Sequence, residues 1–210
     1  MAFASALLGE AALLSGDLEL AATELTEASE LHRDLGSPAG QSHSLQRLAE
    51  VRVAQGDGET AMRLLHEALP LARTSMISRH LLQRIFGTMI VATDDPTEAR
   101  AIVDRAESTL GWDDVCLFCS IMLAVPATIA CARVGDLDNA RRLFTMAEQS
   151  AVMWQGTSWE GGMAEAHAAI EVASGEPELA RKWMEAAAER FQRAGQPLDA
   201  ERCLHALVDF

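Results

Sequence analysis

Five times along this chain a small residue, a large apolar one and a second small one recur at offsets of zero, four and seven. The sets are Ala21, Leu25 and Ala28; Ala61, Leu65 and Ala68; Ala99, Val103 and Ala106; Ala140, Phe144 and Ala147; and Ala180, Met184 and Ala187. These offsets put each set on one face of a helix, where the small residues let a second helix approach closely. A turn signal precedes every set: Gly16-Asp17, Gly56-Asp57, Asp94-Asp95-Pro96, Gly135-Asp136 and Gly175-Glu176-Pro177. Glycine closes the preceding helix in a left-handed conformation, and the acidic residue caps the next. The leading alanines are 40, 38, 41 and 40 residues apart. A period of that size describes a stack of helix pairs in which each unit buries its apolar face against its neighbours.

Composition agrees with an all-α chain. Of 210 residues, 49% are hydrophobic, Tyr is absent, and the apolar content leans on alanine, which suits closely packed helices better than strands. The formal charge is −14, from 31 acidic and 17 basic residues, and Lys182 is the sole lysine. A surface this acidic repels phosphate backbones, so direct nucleic-acid binding is not expected. No apolar run is long enough to cross a bilayer; the longest, Val115 to Ala132, contains Cys, Ser, Pro and Thr and fits a buried helix. The N-terminal apolar stretch carries no basic n-region, and the four cysteines come with no secretion signal. Both features point to reduced thiols and a cytoplasmic location.

Taken in order, the chain divides into repeats at approximately 1–36, 37–74, 75–111, 112–156 and 157–195, with a capping helix at 196–210. Gly36 stops the second helix, and Ser37-Pro38 starts the third as cap and first-turn proline. Pro70 is expected to kink or end its helix, at a cost of roughly 3 kcal/mol if it ran on. The third repeat's first helix is expected from about Ser75 to Ala92. The fourth repeat's is expected from about Asp113 to Val134, capped by Asp113 and Asp114 and covered on several sides. Trp154 to Trp159 brackets a turn. In the last helix Cys203, Leu204 and Leu207 are expected to face inward.

A helix pair with a Gly-Asp turn, a small residue twelve positions before the alanine after the turn, and alanine again seven later resembles the tetratricopeptide repeat. The present unit is longer than the usual repeat of about 34 residues, and its aromatic position is filled by Ala12, Arg52, Ile90, Cys131 and Glu171. The resemblance implies a right-handed superhelix of about five repeats. A closer resemblance is to the C-terminal helical-repeat regions of actinobacterial LuxR-type, ATPase-containing transcriptional regulators. It is carried by Glu30 to Gly36, His80 to Arg84, Trp154 to Trp159 and Ala194 to Cys203. It implies a regulatory or sensor arm controlled by a partner or ligand. No phosphate-cradling Gly-rich loop and no basic recognition helix stand in this sequence, so it is a stand-alone array or a piece of a longer chain.

In tetratricopeptide arrays the first helices line the concave surface. By phase, that groove contains Phe3, Glu10, His43, Gln46, Glu50, Arg84, Thr88, Met122, Ile129, Arg133 and Glu165. The charges of both signs with an apolar centre suit a peptide or a polar small molecule. The bland alternative is a Glu50–Arg84 pair across adjacent helices, worth about 0–1 kcal/mol. Cys116 and Cys119 have redox or zinc spacing, but no second close pair follows. The favoured reading is buried structural thiols, with Cys131 packed beside Cys119. His167 reads as a packed histidine with a local partner, and Trp154 and Trp159 as anchors of their turn.

These readings give a non-enzymatic scaffold that binds a protein or peptide partner, with no cofactor and no metal. As an interaction module it should be elongated, with a continuous concave face. The alternative is a small-molecule sensor with an enclosed pocket near Arg84, Met122 and Arg133. Exposed Phe3, Leu7 and Leu8 on the first helix lead to an expectation of homodimers through that end.

Overall fold

A computed structural model of the protein describes residues 1–111 and 116–209. The described residues form eleven α-helices and two short 3-10 turns, with no strand. The helices are α1 (Ala2–Ser15), α2 (Leu18–Asp34), α3 (Pro38–Ala54), α4 (Gly58–Arg73), α5 (Ser78–Val91) and α6 (Pro96–Leu110). They continue with α7 (Leu117–Arg133), α8 (Leu137–Ala151), α9 (Trp159–Ala173), α10 (Pro177–Arg193) and α11 (Pro197–Ala206). No helix among the described residues is long and apolar enough to cross a membrane.

The repeated turn acts as its residues dictate at four of its five occurrences; Glu176, before α10, makes no side-chain cap. Gly135 adopts φ 77°, where other residues are strained. The side chains of Asp17, Asp57, Asp95 and Asp136 then accept from the backbone N–H groups of Leu20, Thr60, Thr97 and Asn139 at the starts of α2, α4, α6 and α8. Each such cap contributes about 1 kcal/mol. The ten alanines and most of the large residues between them are buried; Phe144 is half-buried. Each even-numbered helix up to α10 packs on the odd-numbered helix before it. The odd helices also pack on one another, α1 on α3, α3 on α5, α5 on α7 and α7 on α9. The result is two layers, with the odd helices side by side.

Close approach is enforced most severely between α5 and α7. A Cβ on Gly87 would stand 2.1 Å from the carbonyl oxygen of Met122. The large core runs from Ala12 through Leu65, Ile85 and Leu143 to Ile170. A second cluster joins α9, α10 and α11 around Met184, Phe191 and Cys203. A third lies around Ile121 and Val125, with Trp154 and Trp159 packed against it. The last helix also reaches the first: α1 touches α11, and the turn at Gly16 lies against Pro197 and Leu198. The row of helices therefore bends round until its two ends meet, instead of extending as expected for an elongated array.

Several local expectations need correction. α4 does not end at Pro70 but runs on to Arg73, close to the expected end near Thr74. Pro70 is exposed and three residues from the end, so the hydrogen bond it forfeits lies on the watered side of the helix. α5 begins at Ser78, after a turn whose Ser75 hydroxyl accepts from the Ile77 N–H. α7 is described from Leu117; the expected caps Asp113 and Asp114 lie outside the described residues. As expected, α7 is buried on most sides, and it runs through Pro126. Cys131 does not pack beside Cys119. Twelve residues of helix separate them by about 18 Å, and Cys131 lies in the charge field of Arg100 and Asp136. In α11 Cys203 is buried and Leu207 half-buried, but Leu204 is exposed because it follows the inward Cys203 by a third of a turn.

Candidate binding surface

The odd helices carry the polar interior. Gln46, Arg47 and Glu50 of α3, Arg84 and Thr88 of α5, and Glu10 of α1 form one connected network. The Gln46 amide donates to Glu50 Oε1 at 2.6 Å and to Thr88 Oγ1 at 2.8 Å. Arg47 donates to Glu50 Oε2 at 2.6 Å and also to Glu10. Arg84 lies 3.7 Å from Glu10 and points its Nε at Gln46 Oε1, 3.4 Å away. The Thr88 hydroxyl donates back to the Arg84 carbonyl at 3.0 Å. The bland alternative of a direct Glu50–Arg84 pair is rearranged: Glu50 is bound by Arg47 and Arg84 lies 3.7 Å from Glu10, while the Arg84 charge still acts on Glu50.

Two carboxylates and two guanidiniums make this network electrically neutral. The Glu50 side chain keeps 30% exposure, against 14% for Arg47, so water reaches the network from one side. Burial works to raise the Glu50 pKa, but Arg47 and Arg84 outweigh it and hold the carboxyl below its ordinary range. Burial and the neighbouring Arg47 lower Arg84 to about 10, which leaves it cationic at neutral pH. His43 is pushed down to about 4 by burial and by Arg84, so it is a neutral imidazole at the edge of the network.

The remaining candidates are distributed around this centre. Met122 and Ile129, seven residues apart on α7, are half-buried residues on a helix that is otherwise buried along most of its length. They form its accessible apolar strip. Glu165 of α9 is bound by Arg202 of α11, which also donates to Asp199 at 3.0 Å. Burial raises Asp199, against the pull of Arg202, and the negative charges of Glu165 and Glu50 add to the rise. That Glu50 acts on Asp199 places α11 within electrostatic reach of α3. Arg133 is not with the others: it is exposed at the end of α7 and donates to the Asp94 carbonyl at 3.2 Å.

The enclosed pocket is expected near Arg84, Met122 and Arg133, but Arg133 points to another turn and does not join the other two. A cavity of about 330 Å³ opens on the even-helix side, between α4 and α6, lined by Leu69, Arg73, Phe86, Asp104, Arg105, Ser108 and Thr109. Sequence reasoning missed Arg47, although its spacing of three from Glu50 was a signal for a helical ion pair. It also missed His80, one turn before Arg84 on the same face of α5. His80 Nδ1 stands 2.8 Å from Cys119 Sγ.

His167 and the tryptophans behave as packing groups. His167 stacks on Trp183 with centroids 4.2 Å apart, and its Nε2 lies 3.2 Å from Glu171. Trp154 Nε1 donates to the Phe118 carbonyl at 2.8 Å, and its ring meets Trp159 edge-on at 6.4 Å. This ties the turn to the start of α7. No protein-family model matches the chain, and no curated protein is significantly similar to it.

Proposed function

We propose that the protein is a non-enzymatic interaction module, a right-handed superhelix of about five tetratricopeptide-like repeats that receives a partner protein or peptide on its inner, odd-helix face. In this reading it is the regulatory arm of a bacterial transcriptional regulator of the LuxR-associated kind. The observation that carries the reading is the division of labour between layers. The even helices repeat one small–large–small packing pattern, whereas the odd helices differ and bring Glu10, Gln46, Arg47, Glu50, Arg84 and Thr88 into a single network. A neutral network with alternating donors and acceptors, beside the Met122 and Ile129 strip, offers a peptide both polar register and apolar contact. Comparative affinity enrichment tests this. A partner captured by the intact protein should be lost with Arg84→Gln and kept with the outward-facing Glu67→Gln; equal capture by both variants would sink the reading.

A second reading, small-molecule sensing, draws on the contact of α11 with α1. That contact turns the inner face toward itself and brings Asp199 into the field of Glu50. A polar metabolite held there should raise the melting temperature of the intact protein and not of Arg84→Gln. Self-association through α1 belongs to either reading. Phe3 is 70% and Leu7 51% exposed, one turn apart on the same face.

A further inference from the structure

Cys116 and Cys119 acquire a third companion in the folded chain. Cys116 precedes α7 as its N-cap residue, and its carbonyl accepts from the N–H groups of Cys119 and Ser120, both at 3.0 Å. The cysteines therefore stand on either end of one helical turn. α5 brings His80 against them, so that the two sulfurs and an imidazole nitrogen all lie within 4.8 Å of one another. Cys119 is buried, while His80 and Cys116 are half-buried, which leaves one side of the triad open to solvent.

We propose that His80, Cys116 and Cys119 bind a zinc ion. Two thiolates and an imidazole are donors for Zn²⁺ and a poor match for Mg²⁺ or Ca²⁺, which take oxygen ligands. Tetrahedral zinc with its usual bond lengths sets the sulfurs about 3.8 Å apart and nitrogen about 3.5 Å from each sulfur. In the structure His80 Nδ1 and Cys119 Sγ stand 2.8 Å apart, and all three donor atoms lie within 4.8 Å of one another. Cys119 Sγ and His80 Nδ1 must part by about 0.7 Å to admit the ion, a side-chain adjustment. On binding, both thiols release their protons and the metal gains two S–Zn bonds, so ligands and ion sum to zero charge. Without metal, burial and the neighbouring Cys116 push the Cys119 thiol up against the pull of Arg84, so the ion must displace that proton on binding.

The surroundings hold the triad in place. The Phe118 carbonyl, between the cysteines, accepts from Trp154 Nε1 at 2.8 Å, and the Phe118 ring packs on Trp154 with centroids 4.3 Å apart. The first turn of α7 is thereby tied to the turn that follows α8. Three protein ligands leave the fourth position to water or to a donor from a bound molecule. The site lies on the same face of α5 as Arg84 and Thr88, so such a donor would approach from the inner surface.

The test is metal titration of the intact, reduced protein after chelator treatment. We expect one zinc per chain. With cobalt as substitute, we expect the near-ultraviolet thiolate-to-metal absorption and the intense visible bands of a tetrahedral ion. Cys116→Ser and His80→Gln should each lose the stoichiometric zinc and the cobalt spectrum while keeping helical circular dichroism. Serine is a better helix N-cap than cysteine, so Cys116→Ser should fold. Absence of the thiolate–cobalt absorption in the reduced wild-type protein overturns the proposal. So does an unchanged zinc stoichiometry in Cys116→Ser.

Discussion

The α-carbon of Gly87 on α5 faces the carbonyl oxygen of Met122 on α7 so closely that an added Cβ would stand 2.1 Å from it. The neighbour is backbone inside a helix and cannot swing aside. Gly87→Ala should therefore separate α5 from α7 and destabilise the protein by about 2–3 kcal/mol, despite the better helix propensity of alanine. Gly162 is the control. Its nearest neighbour, Val125 Cγ1, would be at an ordinary 3.4 Å, so Gly162→Ala should be neutral or gain up to about 1 kcal/mol. Urea unfolding of both variants measures the difference.

Arg47 serves two carboxylates at once. Truncating it leaves Glu10 and Glu50 facing each other with only Arg84 between them. Arg47→Ala should cost about 2–4 kcal/mol, below or near the figure for fully buried pairs, because water reaches one side of the network. The exposed pair Arg193–Glu189, with both side chains more than half in solvent, should contribute less than about 0.5 kcal/mol when Arg193 is replaced by alanine. Chemical denaturation of the two variants, with unchanged slope, checks the contrast.

Acid should weaken the fold in two steps. His43 has a folded pKa of about 4 against an ordinary value of 6.5. Between those values the unfolded chain binds a proton that the native chain refuses, so stability is full above pH 6.5 and falls as pH drops toward 4. Water screening of a half-buried ring reduces the effect to about 1–2 kcal/mol. Glu50, held below its ordinary 4.5 by Arg47 and Arg84, adds a further loss as pH falls below that value. Melting curves of wild type and His43→Gln should diverge in slope between pH 6.5 and 4, with the variant flatter; parallel curves would remove His43 from the account.

α1 presents Phe3 and Leu7 to solvent, and the chain is expected to pair through them. Light scattering should show a mass that rises with concentration for wild type and stays monomeric for Leu7→Glu. A strict monomer at high wild-type concentration would dispose of that expectation.

The architecture was legible because the residues that build it repeat. Ala140, Phe144 and Ala147 could be read as a packing face by setting them beside four counterparts, and Asp136 as a cap for the same reason. The inner surface was legible in part. Phase alone put Gln46, Glu50, Arg84 and Thr88 on one side, since a helix face is fixed by local spacing. Which charges pair was not, because Arg47 reaches Glu10 across 37 residues of sequence, and that depends on how closely α1 and α3 approach. The same holds for His80 and Cys119, 39 residues apart. Arg133 shared the phase of Arg84 yet faces another turn, because it sits at the helix end, where the long side chain finds a free backbone carbonyl. The contact of α1 with α11 joins residues almost the whole chain apart, which local spacing cannot encode.

The claim that the odd-helix face is the binding surface is tested most directly by site-specific photo-crosslinking in cells. A photoreactive side chain would replace His43 or Met122 on the inner face, and His66 or Glu148 on the outer one. Covalent adducts with one recurring partner from His43 and Met122, and none from His66 and Glu148, are the expected result. Adducts confined to the outer positions, or equal from both faces, would contradict it.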